Sequence, residues 1–153
     1  MSALKSSGAW VVLAIAGVAA IGGAAIFYLQ NFDHYRPVAG LTEIEIGGAP
    51  FAVSDYDGLD HEGWPLRLRG CFMLADPAAA MAAGQRVEGA EPFSAPDWFE
   101  CWDAARIDAD LKAGRAQAVI AETSGSGEFA QQRIVVIYAD GRGYQWRRLV
   151  NPR

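Results

Sequence analysis

An uncharged run of 21 residues near the amino end, Ala9–Leu29, constrains this chain more than any other feature. As an α-helix the run would be about 31 Å long at ~1.5 Å per residue, which matches the hydrocarbon core of a bilayer. Trp10 lies at one end and Tyr28 at the other, and membrane interfaces favour such amphipathic rings. The run predicts a transmembrane helix over residues 9–30, preceded by a short cytoplasmic tail at residues 1–8.

A cleaved signal peptide is the first alternative to a retained anchor. Lys5 would supply its charged start and Gly23–Ala25 the small residues before a cut. The apolar part of a signal peptide spans only ~7–15 residues, which is shorter than this run. The second alternative is a buried helix of a soluble protein, but such a helix is rarely apolar all round. We therefore favour the retained anchor.

The charges that flank the run give the orientation only a small bias. Lys5 precedes the run and Arg36 follows it, so the Lys and Arg counts of the two flanks are equal. The free amine and the short leader favour an amino end inside the cytoplasm. The remainder of the chain would then lie outside it.

Small residues recur on one side of the predicted helix. Ala16, Ala20 and Ala24 are spaced by four residues, and Ala19 and Gly23 lie beside them. Small side chains at this spacing allow two helix backbones to approach closely in lipid. The pattern predicts a helix-docking face for another membrane protein subunit. The simpler explanation is that Ala and Gly are common in membrane helices.

The rest of the chain has the pattern of one small α+β domain. We expect a polar tether at residues 31–40, then an extracytoplasmic domain at residues 41–153 with a mostly antiparallel sheet and one or two helices. Alternating or β-branched segments predict strands at 41–46, 51–54, 66–74, 116–122, 133–139 and 144–150. Helices are predicted at 77–83 and 103–113. Residues 55–63 are predicted to form an acidic loop.

The two cysteines, Cys71 and Cys101, are separated by 30 residues, which fits neither a CxxC redox motif nor a zinc knuckle. In an oxidising compartment a disulfide is the default. By the loop-entropy model it would stabilise the fold by roughly 3.6 kcal/mol. Two unpaired thiols, a two-thiolate copper site and a thiol redox pair remain as alternatives.

Other chemistries lack the residues they need. The acidic stretch Asp55–Glu62 resembles a calcium loop, but Leu66 stands where an EF-hand needs Glu. His34 and His61 are the only histidines, too few for a zinc site, and no serine lies in a nucleophile elbow. Neither Gly-rich segment, Gly125–Gly127 or Gly141–Gly143, opens a phosphate-binding helix, which argues against a nucleotide partner. The net charge of −5 argues against nucleic acid. We expect no cofactor, no metal site and no catalytic group.

Three segments carry a family resemblance: Pro65–Phe72, Ala95–Ala104 and Asp140–Arg147. Together they resemble a family of uncharacterised single-anchor membrane proteins from alphaproteobacteria, a domain of unknown function. The resemblance brings no known activity. With the orientation that the amino end favours, we expect a single-pass protein of the bacterial inner membrane with its carboxy-terminal domain in the periplasm. Relatives are sometimes labelled histidine kinase, but 153 residues leave no room for an ATP-binding domain.

These observations predict a membrane-anchored, non-enzymatic interaction protein whose partners are the lipid bilayer and another membrane subunit. We expect it to be an accessory or assembly factor of an inner-membrane complex. A periplasmic metal or small-ligand binding module is one alternative. A thiol redox protein that uses Cys71 and Cys101 is the other.

Overall fold

The structure, a computed structural model, describes residues 2–150, and side-chain surroundings from residue 8 onward. The chain divides into two compact units, with the boundary between Tyr35 and Arg36. The domain therefore begins a few residues before the expected boundary at residue 41.

The first unit is a long apolar helix. Helix α1 spans Ser2–Tyr28 and continues into a π-helical turn, Leu29–Asp33. Within the segment Gly8–Asp33, an 18-residue stretch has a mean hydropathy of 2.3, and none of that stretch is buried. By length and composition it can cross a membrane, a property that signal sequences share. The prediction of a helix is confirmed, and the helix starts earlier than the uncharged run.

The second unit is built on one antiparallel sheet. Its strands are β1 Arg36–Ala39, β2 Glu43–Ile46, β3 Ala49–Asp60, β4 Arg69–Leu74, β5 Gln85–Arg86, β6 Ala116–Ser124, β7 Gln131–Tyr138 and β8 Arg142–Leu149. They lie in the order β1-β3-β4-β8-β7-β6-β5, and β2 pairs with the first part of β3. Two helices, α2 Pro77–Ala83 and α3 Ala104–Lys112, complete the unit. The predicted α+β class is confirmed.

Both helices begin where the sequence places a capping aspartate. The Asp76 carboxylate accepts a hydrogen bond from the Ala79 amide at 3.0 Å, and Pro77 opens the first turn of α2. Asp103 accepts one from the Arg106 amide, also at 3.0 Å. Such caps satisfy amides that the first turn of a helix leaves without a carbonyl partner.

Side chains cover both faces of the sheet. On one face Val135 and Ile137 of β7 belong to a buried core that includes Ile46 of β2 and Ala80 of α2. On the other face the ring of Trp102 packs edge-on against those of Tyr144 and Trp146, with centroids 5.9 and 6.0 Å apart. Because successive residues of a strand point to opposite faces, these contacts belong to different sides of one sheet.

The predicted acidic loop at residues 55–63 is wrong, because strand β3 continues to Asp60. A bulge between Ser54 and Asp57 interrupts the pairing with β4, and Asp55 there adopts a left-handed backbone with φ of 53°. The bulge adds an unpaired residue to the strand. The alternation of buried and exposed side chains seen in residues 51–54 is therefore interrupted before the second part of β3. Tyr56 and Leu59 are buried nonetheless.

The predicted tether at residues 31–40 also differs from the structure. Leu29–Asp33 extends the helical segment, and Arg36–Ala39 forms β1, in which Arg36 pairs with Asp60. Pro37 lies within this strand. A proline is tolerated here because β1 is an edge strand, where an amide can be missing from the ladder.

Candidate functional site

Cys71 of β4 and Cys101 form a disulfide, with Cα atoms 6.3 Å apart. Cys71 is 8% exposed, whereas Cys101 faces solvent. The bond joins the middle of the sheet to the turn that precedes α3. It therefore fixes the segment between β5 and α3, which has little regular secondary structure of its own.

A buried arginine reinforces the same attachment. The guanidinium of Arg69 lies 5.5 Å from the ring centroid of Phe93 and 5.7 Å from that of Trp102. It also donates hydrogen bonds to the carbonyl oxygens of Leu68 at 2.6 Å and Ser94 at 3.0 Å. Arg69 is only 4% exposed, so these carbonyls and rings stabilise its positive charge in place of water.

Trp102 connects the disulfide to the aromatic face of the sheet. Its indole nitrogen donates to the carbonyl oxygen of Phe93 at 2.9 Å, and its ring packs against Tyr144 and Trp146. We call the set Arg69, Cys71, Cys101, Trp102, Tyr144 and Trp146 the disulfide–aromatic cluster. The sequence identified the cysteines but not Arg69, because one arginine in an alternating strand is normally an exposed residue.

The disulfide is open to solvent on one side. A shallow cleft of about 180 Å³ is lined by both cysteines together with Asp55, Arg142 and Tyr144, among others. The guanidinium of Arg142 bonds to Asp140, Nε to Oδ2 at 2.8 Å, and lies 4.2 Å from the ring centroid of Tyr138. A reductant could reach Cys101 through this cleft, whereas Cys71 is shielded.

A second cleft, of about 260 Å³, is lined by residues of β2 and of strands β3, β7 and β8, among others. The amide nitrogen of Gln145 donates to the Tyr56 hydroxyl at 2.7 Å, and Nη1 of Arg133 donates to the Gln145 amide oxygen at 3.0 Å. Nη2 of Arg133 donates to the Glu45 carbonyl oxygen at 2.6 Å. Burial is the main cause that raises the pKa of the Tyr56 phenol, which stays neutral at physiological pH. These groups satisfy one another, so the cleft is a structural network.

The predicted helix-docking face lies on α1. Ala16, Ala19, Ala20, Gly23 and Ala24 are all exposed in the described structure. A Cβ atom added at Gly23 would meet no atom within 4 Å. Residues 16, 20 and 24 share one side of an α-helix by its geometry. Docking by this face remains a prediction.

The acidic stretch offers no metal site in the structure. Across the described part of the chain, no three His, Cys, Asp or Glu side chains are grouped so that they could hold a metal ion. His61 instead accepts a hydrogen bond at Nδ1 from the Gly63 amide, at 3.1 Å, within a tight turn.

The three segments that carried the resemblance meet at the disulfide–aromatic cluster, since each supplies two of its members. A family model matches residues 40–152, and its description is a family of unknown function, DUF6446. The chain belongs to this family. The prediction of an uncharacterised domain family is thereby confirmed. No curated protein and no solved structure matches the chain.

Proposed function

We propose that this DUF6446 member is a membrane-anchored, non-enzymatic interaction protein. Helix α1 holds it in the bacterial inner membrane as a single-pass anchor, and the domain stands in the periplasm. There it serves as an accessory or assembly factor of an inner-membrane complex. The observation that carries the proposal is the exposed apolar surface of α1, joined to a domain in which the buried side chains of Arg69 and Gln145 are engaged with other groups of the domain.

The paired groups argue for a scaffold over a catalyst. A catalytic site needs a nucleophile or a base that is free to meet substrate. Here Arg133 and Gln145 are engaged with each other, and Arg69 is engaged with backbone carbonyls. The surface left for a partner is then the small-residue face of α1 and the outside of the domain.

The disulfide supports placement in the periplasm. Disulfides persist in oxidising compartments and are rare in the cytosol. Thiol labelling of intact cells and of lysates, with and without reductant, tests side and pairing together. We expect no labelling of Cys101 before reduction, and labelling by a membrane-impermeant reagent after it. Labelling without reductant would contradict the proposal.

The partner is tested with detergent-solubilised full-length protein. We expect a co-purifying membrane subunit, and we expect Ala20→Leu to remove it because the larger side chain blocks close helix approach. Val18→Leu is the matched control, since residue 18 lies on the other side of the helix from residue 20. A chain that migrates alone, or loses its partner equally in both variants, would overturn the docking face.

One observation favours a second function, thiol redox chemistry at the same cysteines. Cys101 is exposed at the open cleft that Arg142 also lines, so a small thiol from solvent can reach its sulfur, as thiol–disulfide exchange requires. The test is alkylation after mild reduction of the native protein. Rapid alkylation of Cys101 at neutral pH favours redox chemistry, whereas resistance favours a purely structural bond.

A further inference from the structure

One end of the sheet carries exposed apolar side chains from three separate segments. The exposed fraction is 59% for Trp64, 80% for Phe129 and 48% for Leu149. Strand pairing puts the start of β1 at this same end. Arg36 pairs with Asp60 at the end of β3, and antiparallel pairing then continues through β4, β8 and β7 to the end of β6. Large apolar side chains in water need an explanation when they gather at one place.

Hydrogen bonds hold these segments side by side. The Val150 amide donates to the Ala130 carbonyl oxygen at 2.8 Å, which sets the end of β8 beside the turn that carries Phe129. Nη1 of Arg147 bonds to Asp60 at 3.0 Å and to the Pro65 carbonyl oxygen at 3.4 Å. Arg147 therefore fixes the turn next to Trp64 to the end of β8.

Arginines accompany the apolar residues. Arg36 is exposed at the start of β1, and the guanidinium of Arg67 lies 5.7 Å from the ring centroid of Trp64. Nη2 and Nε of Arg148 donate to the side-chain oxygen of Gln132, a neutral group, at 3.0 and 3.2 Å. Two carboxylates, Glu62 and Glu128, are also exposed at this end.

The chain that connects the apolar helical segment to β1 is short. The helical segment ends at Asp33 and β1 begins at Arg36. Three Cα steps span at most about 11 Å. If α1 crosses a membrane, the start of β1 must lie close to the lipid surface.

We infer that this end of the sheet rests on the phospholipid surface, with Trp64, Phe129 and Leu149 among the headgroups. We call it the lipid-facing patch. Arg36, Arg67 and Arg148 bind lipid phosphates from the same patch. Aromatic rings and arginines are the residues that membrane interfaces favour, and the short chain link places them there. The inference rests on the proposed anchor and adds a second contact with the bilayer.

The test uses the full chain in phospholipid vesicles with an environment-sensitive fluorophore on a single added cysteine. Phe129→Cys reports on the patch, and Ala139→Cys, exposed in the turn at the opposite end of the sheet, is the control. Val18→Cys reports on the anchor. Because the native cysteines are bonded to each other, only the added thiol takes the label.

Lipids with a spin-label quencher near the headgroup should quench the probe at residue 129 and leave that at 139 bright. Suppose that a deep spin label quenches the probe at 18 and the headgroup label does not quench the probe at 129. That result overturns the inference and still supports the membrane anchor. If neither 18 nor 129 is quenched, the anchor itself fails, and the inference with it. Equal quenching at 129 and 139 also overturns the inference.

The arginines have their own comparison in vesicles that contain anionic lipid. Replacing Arg67 and Arg148 with Gln should weaken surface contact by roughly fivefold for each charge removed. Arg106→Gln, in the cleft beside Asp140 at the opposite end, should leave quenching unchanged. Quenching that responds equally to both sets of changes would refute the role of the patch arginines.

Discussion

The phenolic oxygen of Tyr138 donates a 2.7 Å hydrogen bond to Oδ2 of Asp110 and so ties strand β7 to helix α3. Nε of Arg115 binds the other carboxylate oxygen, also at 2.7 Å. Asp110 is 7% exposed. The hydrogen bonds from Tyr138 and Arg115 lower the pKa of its carboxyl group, while burial and the hydrogen bond to Asp110 raise the pKa of the Tyr138 phenol.

This pair predicts a stability that falls on both sides of neutral pH. Because the folded pKa of Asp110 lies below its unfolded value, its contribution is present above about pH 4 and is lost as pH falls through the folded pKa. Because the folded pKa of Tyr138 lies above its unfolded value, its contribution is present below about pH 10 and is lost at higher pH. Chemical unfolding across this pH range measures both limbs.

Tyr138→Phe should lower stability at neutral pH and flatten both limbs, since it removes the bond that shifts the two pKa values. Tyr144→Phe is the control, because its ring packs against Tyr138 but its hydroxyl is not the one that bonds to Asp110. A profile of Tyr138→Phe that runs parallel to that of the native protein would contradict the assignment.

The disulfide predicts a large response to reduction. Replacing Cys71 and Cys101 together with Ala should lower the free energy of unfolding by about 2–5 kcal/mol, because the unfolded chain loses its cross-link. Thermal unfolding of the full chain in detergent measures this as a lower Tm. Reductant should lower the Tm of the native protein to a similar extent and leave the double variant unchanged. A native Tm that ignores reductant would show that the bond contributes little.

The sequence predicted most of the fold because its elements carry local signals. Asp76 and Asp103 mark the two helix starts, and the β-branched run at 133–139 marks β7, whose side chains from Ile134 to Tyr138 are buried. Local signals failed where a tertiary partner decides the structure. Strand β1 forms because it pairs with residues 57–60 of β3. The bulge at Asp55 interrupts the alternating pattern of β3, so the sequence does not show that these residues belong to a strand.

The candidate site was less accessible to sequence reasoning. Cysteine count and spacing gave the disulfide, since only one intramolecular pairing exists for two cysteines. Arg69 is buried under Phe93 and Trp102. Nothing in the local sequence pattern distinguishes it from Arg67, which lies two residues earlier. Long-range packing decides which arginine is buried, and one sequence does not reveal that packing.

Arg133 predicts a specific loosening of the β2 hairpin. Arg133→Lys cannot reach both the Glu45 carbonyl and the Gln145 amide oxygen, because an ammonium lacks the fork of a guanidinium. We expect a loss of about 1.5–3 kcal/mol, the range for hydrogen bonds to charged groups. Hydrogen exchange should accelerate in residues 43–46 more than in β7.

Glu122→Gln is the control for Arg133→Lys. The Glu122 side chain is 58% exposed and lies 3.4 Å from Arg133 Nε, so its ion pair is worth only about 0.2–1 kcal/mol. Equal losses in the two variants would show that the ion pair, and not the attachment to β2, is what Arg133 supplies.

Gly143→Ala should destabilise the domain, although strand propensity alone would favour the alanine. Alanine is normally preferred to glycine inside a strand, because glycine loses more conformational freedom on folding. A Cβ at residue 143, however, would overlap the ring of Phe72, which is 4% exposed and stacks on Tyr56 with centroids 5.9 Å apart. Gly143→Ala should therefore cost about 1–3 kcal/mol, as overpacked cores do. Gly63→Ala, whose added Cβ meets His61 only at ordinary contact distance, should leave the Tm nearly unchanged. A Gly143→Ala protein as stable as the native one would mean that Phe72 can move without disturbing its stack on Tyr56.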